Sequence, residues 1–388
     1  MNSRRHKVSE DIQIIRRRRS PLTSDELLQN IPIDVVIEIF SRLPLNSIAR
    51  CRCVSKRWAS VLRRPDFTEL FFTKSLTRPK LLFACRTQDK KEVIFFSTPA
   101  DHHVSFSFER VNDICSSVNG FFCISDDRIL EGMKTSELVL VICNPSTRQS
   151  FTLPNVKTRK RTGLRTFLGY DPVEKQYKVL SVTILYDNSV VDHRVLTLGT
   201  ENMTWRSIEC DVPHSFPGKA CECINGALYY FARASTVDGM IVCFDVRSEK
   251  FTFVKPVERG MLSETLINFQ GKLASVRSSK PYVVSGKSTS FEIWILKDPE
   301  KHEWSKHIFN LPPLLKDAAS REILYFVGVT DTNEFVFEPF CSSEPFHVHY
   351  YNFVEKTITR FEIQGMGAFE KASGVGIFLN HVENVKRM

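Results

Sequence analysis

The sequence predicts an α+β chain in two modules: a small N-terminal module of three helices, followed by an all-β, propeller-like domain of six blades. Three observations predict it. Residues 31–67 hold short helical segments that are apolar on more than one side. From Arg78 onward, long helical periodicity is absent, and short apolar runs alternate with clusters of Gly, Pro, Asn, Asp and Ser. Through that region a polar turn recurs at a near-constant interval.

Taken in order, residues 1–25 are polar and arginine-rich and read as a disordered basic tail. The helical module follows over 26–70. In its first segment Val36, Ile39, Phe40 and Leu43 fall at i, i+3, i+4 and i+7, one face of a helix, while Ile33, Val35 and Ile37 lie off that stripe. A helix apolar nearly all round must be covered on more than one side. Asp34 is expected to cap it and Pro44 to stop it. Asn46 or Ser47 is expected to cap a second helix and Ser55 a third, with Val54, Trp58, Val61 and Leu62 apolar and Pro65 ending the run. Three helices in so few residues bury too little surface to hide these faces among themselves, which points to a partner.

The β-domain spans 78–382. Strands are expected at Lys80 to Cys85, Val93 to Ser97, Leu138 to Cys143, Ile224 to Ala232, Met240 to Phe244, Leu266 to Val276, Phe291 to Leu296, Leu324 to Val329 and His347 to Phe353. The recurring turns start at 97, 144, 199, 245, 298 and 352, spaced by 47, 55, 46, 53 and 54 residues. That interval suits one four-stranded blade. Asn119-Gly120, Asn225-Gly226 and Gln270-Gly271 sit between apolar runs as hairpin turns. The last apolar run, Gly374 to Leu379, lies beyond the sixth unit, where it would close the ring against the first blade. Seven blades or a pair of open sandwiches are the alternatives.

Charge and composition narrow the function classes. The net charge is +9, but residues 1–80 hold 17 Lys+Arg against 8 Asp+Glu and the remainder holds 36 of each. The β-domain is formally neutral, which argues against a nucleic-acid surface there. The run Arg16 to Arg19 reads either as a nuclear signal or as a solvated tail. No apolar run approaches a membrane span and the first residues lack a secretory core, so an intracellular protein of the nucleus, the cytoplasm or both is expected. Eleven scattered cysteines without a Cys-x-x-Cys pair read as free thiols. No metal ligand set, cofactor loop or hydrolase elbow is found. Neither catalysis nor a cofactor is expected. The acids Asp245 and Asp298 read as Asx-turn residues, and Trp205, Trp294 and Trp304 as inter-blade core.

Two groups of motifs make the resemblance specific. Ile31-Pro32, Asp34, Glu38-Ile39, Arg42-Leu43-Pro44 and Cys53-Val54-Ser55-Lys56 with Trp58 resemble an F-box. Asn119-Gly120 with Cys123, Asn144-Pro145-Ser146-Thr147-Arg148, Gly169-Tyr170-Asp171-Pro172, Tyr177-Lys178-Val179, Trp205-Arg206 and Lys301-His302-Glu303-Trp304 resemble the F-box-associated domain of the large plant family. Ile31, Val35 and Phe40 stand where that F-box usually has leucine, and they keep the positions apolar. The resemblance implies a substrate receptor of an SCF-type ubiquitin ligase, bound to a Skp-family adaptor and through it to a cullin. The adaptor-binding residues it implies are Ile31, Pro32, Ile37, Ile39, Phe40, Leu43, Pro44, Val54 and Trp58. The target is unidentified. Lys157, Arg159, Lys160, Arg161 and Arg165 form a candidate target-binding loop for an acidic surface, against the plainer reading of a solvated basic loop. The rival readings are a non-ligase interaction scaffold and a propeller enzyme or ligand sensor. An acidic or histidine-rich central funnel would mark the last of these.

Overall fold

The computed structural model describes residues 31–387 except 99–102, 130–135, 157–162, 186–188, 212–213, 219–220, 235–237, 258–264, 278–282, 285–287, 289, 314, 316–322, 340–345 and 364–371. The basic tail, Arg16 to Arg19, and Lys157, Arg159, Lys160 and Arg161 therefore lie outside the described residues. The chain divides into two compact units, Met1–Leu70 and Phe71–Met388. Among the described residues no helix is long and apolar enough to cross a membrane.

Four helices are described: α1 Ile33–Ser41, α2 Leu45–Val54, α3 Lys56–Val61 and α4 Pro65–Leu76. Several expected boundaries move. Pro32, not Asp34, occupies the N-cap of α1, and Asp34 lies in its first turn, where a carboxylate suits the helix dipole. Pro44 caps α2, displacing Asn46 and Ser47. Ser55 does cap α3, its Oγ accepting from the Trp58 amide at 3.2 Å. Pro65 opens α4 instead of ending the run; its missing N–H is harmless at a first helical position, where no amide has an intrahelical acceptor. Two expected strands are each a hairpin: Ile224 to Ala232 breaks at Asn225-Gly226, and Leu266 to Val276 breaks at Gln270-Gly271.

The β-unit is six antiparallel sheets in sequence order. The second blade, for example, is Val111–Val118, Phe121–Arg128, Glu137–Asn144 and Gln149–Thr152. The sixth gains a fifth strand from the short Val283–Val284. The first blade is completed from the far end of the chain. Ala372–His381 pairs antiparallel with Lys80–Thr87, outside which lie Glu92–Thr98 and His103–Ser107. The terminal strand thus closes the ring as expected, completing the first blade from the far end of the chain.

One apolar cluster fills each gap between neighbouring blades. Leu82, Val93 and Phe95 meet Phe122 and Ile124 between the first and second. Leu81 and Phe83 meet Val336 and Val348 between the first and sixth. The core is therefore a ring of face-to-face contacts, which is why the strands are apolar on both sides. Trp205 and Trp304 pack at the edges of two such clusters. Each donates its indole N–H across the gap, Trp205 to the Pro154 carbonyl at 2.7 Å and Trp304 to the Lys255 carbonyl at 3.0 Å. Trp294 differs from expectation: it donates to Glu292 Oε2 and lies under the Lys306 ammonium, a polar cluster within one blade.

The recurring turns that start at 144, 199, 245, 298 and 352 fall at one topological position, the link from the third to the fourth strand of a four-stranded blade. The one expected at 97 runs from the strand Glu92–Thr98 into residues outside the described ones. Asn144, Asp245, Asp298 and Asn352 each accept a backbone amide two or three residues on, at 2.6 to 3.1 Å. The hairpin turns Asn119-Gly120, Asn225-Gly226 and Gln270-Gly271 all join first to second strands, with positive φ at both central residues. Because strands alternate in direction, both classes of tight turn share one end of the blades. The second-to-third links and the links between blades leave from the other end.

Candidate protein-docking surfaces

In the helical unit, α1 is rich in β-branched residues with modest helix propensity, so its stability rests on packing. Val36, Ile37, Phe40 and Ser41 are buried, and the Phe40 ring meets Trp58 with centroids 5.1 Å apart. At 100° per residue these positions form one arc centred near Phe40. Ile39 falls about 100° to its other side and points outward, so the expected stripe is rotated: Ile37 replaces Ile39 on the inner face. Val35 and Ile39, four residues apart, are 47% and 48% exposed. Together with Asp34, Glu38 and Arg42 they line a shallow groove of about 360 Å³. Arg42 and Glu38 pair at 2.6 Å along one edge, an exposed contact of about 0.3–0.5 kcal/mol.

Of the nine residues assigned to adaptor binding, Ile39, Pro32, Pro44 and Val54 are exposed. Ile31, Leu43 and Trp58 are half-buried, and Ile37 and Phe40 are buried. The last two hold the helix in place rather than offering it to solvent. Val35 was not among the nine, although its position off the inner stripe was already visible in the helical period. In the β-unit, Arg165 lies in the strand Gly163–Asp171 and is half-buried, not a loop residue.

The β-unit encloses a cavity of about 450 Å³, lined from the innermost strands by residues such as Ile114, Glu222, Asn268, Gly328, Phe378 and Asn380. Its described lining carries one carboxylate, Glu222, and one imidazole, His381. An acidic or histidine-rich funnel is thus not what the described residues form. Burial raises the Glu222 carboxyl to about 8. Between its ordinary value of 4.5 and about 8 the folded chain holds a proton that the unfolded chain releases, so this group lowers stability as pH rises through that window. Glu222→Gln is expected to melt higher than the parent at pH 8, with the gain vanishing near pH 4.5. Thermal melts across that range check it, and equal melting points at pH 8 would contradict it.

Two motif residues that looked merely structural prove to join blades. Lys178, from the third blade, donates to Glu249 Oε1 at 2.7 Å and to the Arg247 carbonyl at 3.3 Å. Arg206 contacts the same carboxylate oxygen. Burial pushes Glu249 up, but hydrogen bonds from Arg206 and Lys178, with their charges, outweigh it and hold the carboxyl below its ordinary value. A depressed carboxylate stabilises the fold above its unfolded value, and that contribution is lost as pH falls through the folded value. Glu249→Gln leaves the buried Lys178 charge without its partner, a loss of about 3 kcal/mol at neutral pH. Denaturant titrations of parent and variant should converge as the pH falls through the depressed value of the folded Glu249 carboxyl. A constant gap would refute the ionic account.

Comparison with known proteins agrees with this division of the chain. The F-box domain family matches residues 28–70, and the family described as F-box associated beta propeller domain matches residues 70–382. Among curated relatives, F-box protein DOR of Arabidopsis thaliana is 51% identical over 100% of both chains. A putative F-box protein of the same plant is 43% identical, again over 100% of both. A solved structure of TolB from Acinetobacter baumannii superposes with a TM-score of 0.41 at 9% identity, over 80% of this chain and 70% of that one.

Proposed function

The chain belongs to the plant F-box proteins that carry an F-box associated β-propeller domain, and from that premise we propose that it is the substrate-recognition subunit of an SCF-type ubiquitin ligase. Residues 26–70 bind a Skp-family adaptor and through it a cullin, while the propeller, 78–382, holds a target protein. The observation that carries this reading is the outward row of Val35 and Ile39 on α1, apolar surface left uncovered on a small helical unit. Apolar anchors of this kind supply most of the energy at protein interfaces. The family resemblance adds Ile31, Leu43, Val54 and Trp58, with Pro32 and Pro44, as further adaptor contacts.

The propeller contributes binding, not chemistry. The longer connections, at the end of the blades opposite the tight turns, offer the surface on which targets vary. Holding a target beside a ubiquitin-charged enzyme raises its effective concentration, and the bond-making groups belong to other subunits. The protein works in the nucleus, the cytoplasm or both, which imaging of a fluorescent fusion tests.

The full chain, captured from plant cells, should bring down a Skp-family adaptor and a cullin. The captured complex, supplied with ubiquitin and its activating and conjugating enzymes, should modify a co-captured protein. Adaptor capture without transfer to any bound protein would favour the scaffold reading. Absence of the adaptor would end the proposal.

A further inference from the structure

Three side chains of the propeller, outside every site described above, converge at the junction of the third and fourth blades. His193 lies on the strand Val190–Thr197. Cys210 follows the blade's last strand, Arg206–Ile208, by two residues. His214 immediately precedes Ser215, whose backbone bridges both Ser189 and Arg233. One ligand atom from each of the three lies within 4.8 Å of the other two. In sequence the three are separated by 17 and 4 residues, with no motif spacing, so the sequence alone did not group them.

The environment is built as a cation site would need. His193 and His214 are buried and Cys210 is half-buried. The two imidazole rings are 5.2 Å apart. Phe251 packs 4.9 Å from the His193 ring and Phe253 6.2 Å from the His214 ring, excluding water on the fourth-blade side. The Tyr230 hydroxyl, itself buried, lies 3.1 Å from His214 Nε2 and fixes that ring, as outer partners do for metal-binding imidazoles. Independently, His193 Nε2 is buried and makes no hydrogen bond. A buried polar atom without a partner costs about 1–3 kcal/mol, so a nitrogen left this way calls for one.

We propose that His193, Cys210 and His214 bind Zn²⁺, with water as the fourth ligand, and that the ion pins the segment joining the third and fourth blades. Two imidazoles and a thiolate form a borderline-soft set that suits this ion better than Mg²⁺ or Ca²⁺. Bonds of about 2.0–2.1 Å to nitrogen and about 2.3 Å to sulfur bring tetrahedral ligand atoms to roughly 3.4–3.7 Å of one another, within reach of small side-chain rotations here. Binding releases the thiol proton to solvent and leaves the ion's oxidation state unchanged. The purpose is mechanical: the ion ties the connection that leaves the third blade back to a strand of that blade.

The full chain, purified without a metal-affinity step and dialysed, should retain about one zinc by mass spectrometry. After chelation, Co²⁺ should restore a thiolate-to-cobalt charge-transfer band. Zn²⁺ should raise the melting temperature of the chelated parent. Cys210→Ser and the near-isosteric His193→Gln should weaken binding by more than about tenfold, and Cys210→Ser should also abolish the cobalt band. Cys53→Ser, at an exposed cysteine of the helical unit, should change nothing. The parent titrations need no variant, so misfolding of a variant cannot mask the answer. Zinc lost on dialysis, no cobalt band in the parent, or an equal zinc-induced shift in Cys210→Ser would each overturn the site.

Discussion

Val35→Asp combined with Ile39→Asp is expected to abolish co-purification of the Skp-family adaptor while leaving both units folded. Fully burying an aliphatic side chain stabilises an interface by about 1.5–3 kcal/mol. Losing two of them, and placing two carboxylates where the partner is apolar, removes upwards of ~4 kcal/mol, about a thousandfold in Kd. Both residues are half exposed in the chain itself, so the fold should not register the change. Phe40→Ala is the contrasting variant: it empties a buried position against Trp58 and should lower the stability of the helical unit by about 3–5 kcal/mol. Binding assays paired with thermal melts separate the two effects. Unchanged adaptor capture by the double aspartate variant would remove α1 from the interface.

Gly120→Ala should destabilise the propeller far more than an exposed hairpin turn would suggest. Gly120 has φ +85°, and a Cβ there would lie 2.4 Å from the Val382 carbonyl oxygen, a clash with backbone that cannot rotate away. Around it the tail after the closing strand docks on the second blade. Asn384 donates from its backbone to Ser146 Oγ at 3.0 Å and from Nδ2 to the Asn119 carbonyl at 3.0 Å. Asn144 Nδ2 donates to the Asn384 carbonyl at 2.9 Å. Glu383 pairs with Lys80 at 2.7 Å, both largely buried. Left-handed strain and the clash together should cost at least ~3 kcal/mol, a drop of roughly 5 °C for a unit of this size. Gly271→Ala is the control, since it shares the positive φ but meets nothing within 4 Å. Deleting residues 382–388 removes the obstacle, so Gly120→Ala in that background should fall to the cost of Gly271→Ala. A full penalty in the truncated chain would show that the tail contact is irrelevant.

The contrast between the two glycines marks where sequence reading reaches its limit. Asn119-Gly120 and Gln270-Gly271 are both legible as turns, because a two-residue hairpin needs positive φ and these residues tolerate it. Only at Gly120 does a distant backbone press against the turn, and nothing near position 120 records it. Pro65 and the caps of α1 and α2 were misplaced for a related reason: a proline reads equally as a stop behind it and a start ahead of it. The inward turn of Ile37 and outward turn of Ile39 depend on which face the neighbouring helices cover. A helix apolar nearly all round does not specify that.

The strand pairing fixed the blade count, but by itself the sequence determined the two-module plan, a repeating blade unit that favoured six blades over seven, and the family. Each of these is written in local chemistry: hairpin residues, Asx-forming acids and amides, and an apolar period repeated often enough to be read. Tertiary structure alone decided that Ile37 turns inward and Ile39 outward on α1, that Lys178 and Arg206 share one carboxylate, and that Asn144 and Asn119 receive the tail of the chain. It also brought His193, Cys210 and His214 together. These depend on contacts between residues far apart in sequence or lying on different strands. Their energy exists only once those separate segments have packed, so no single stretch of chain carries their signature.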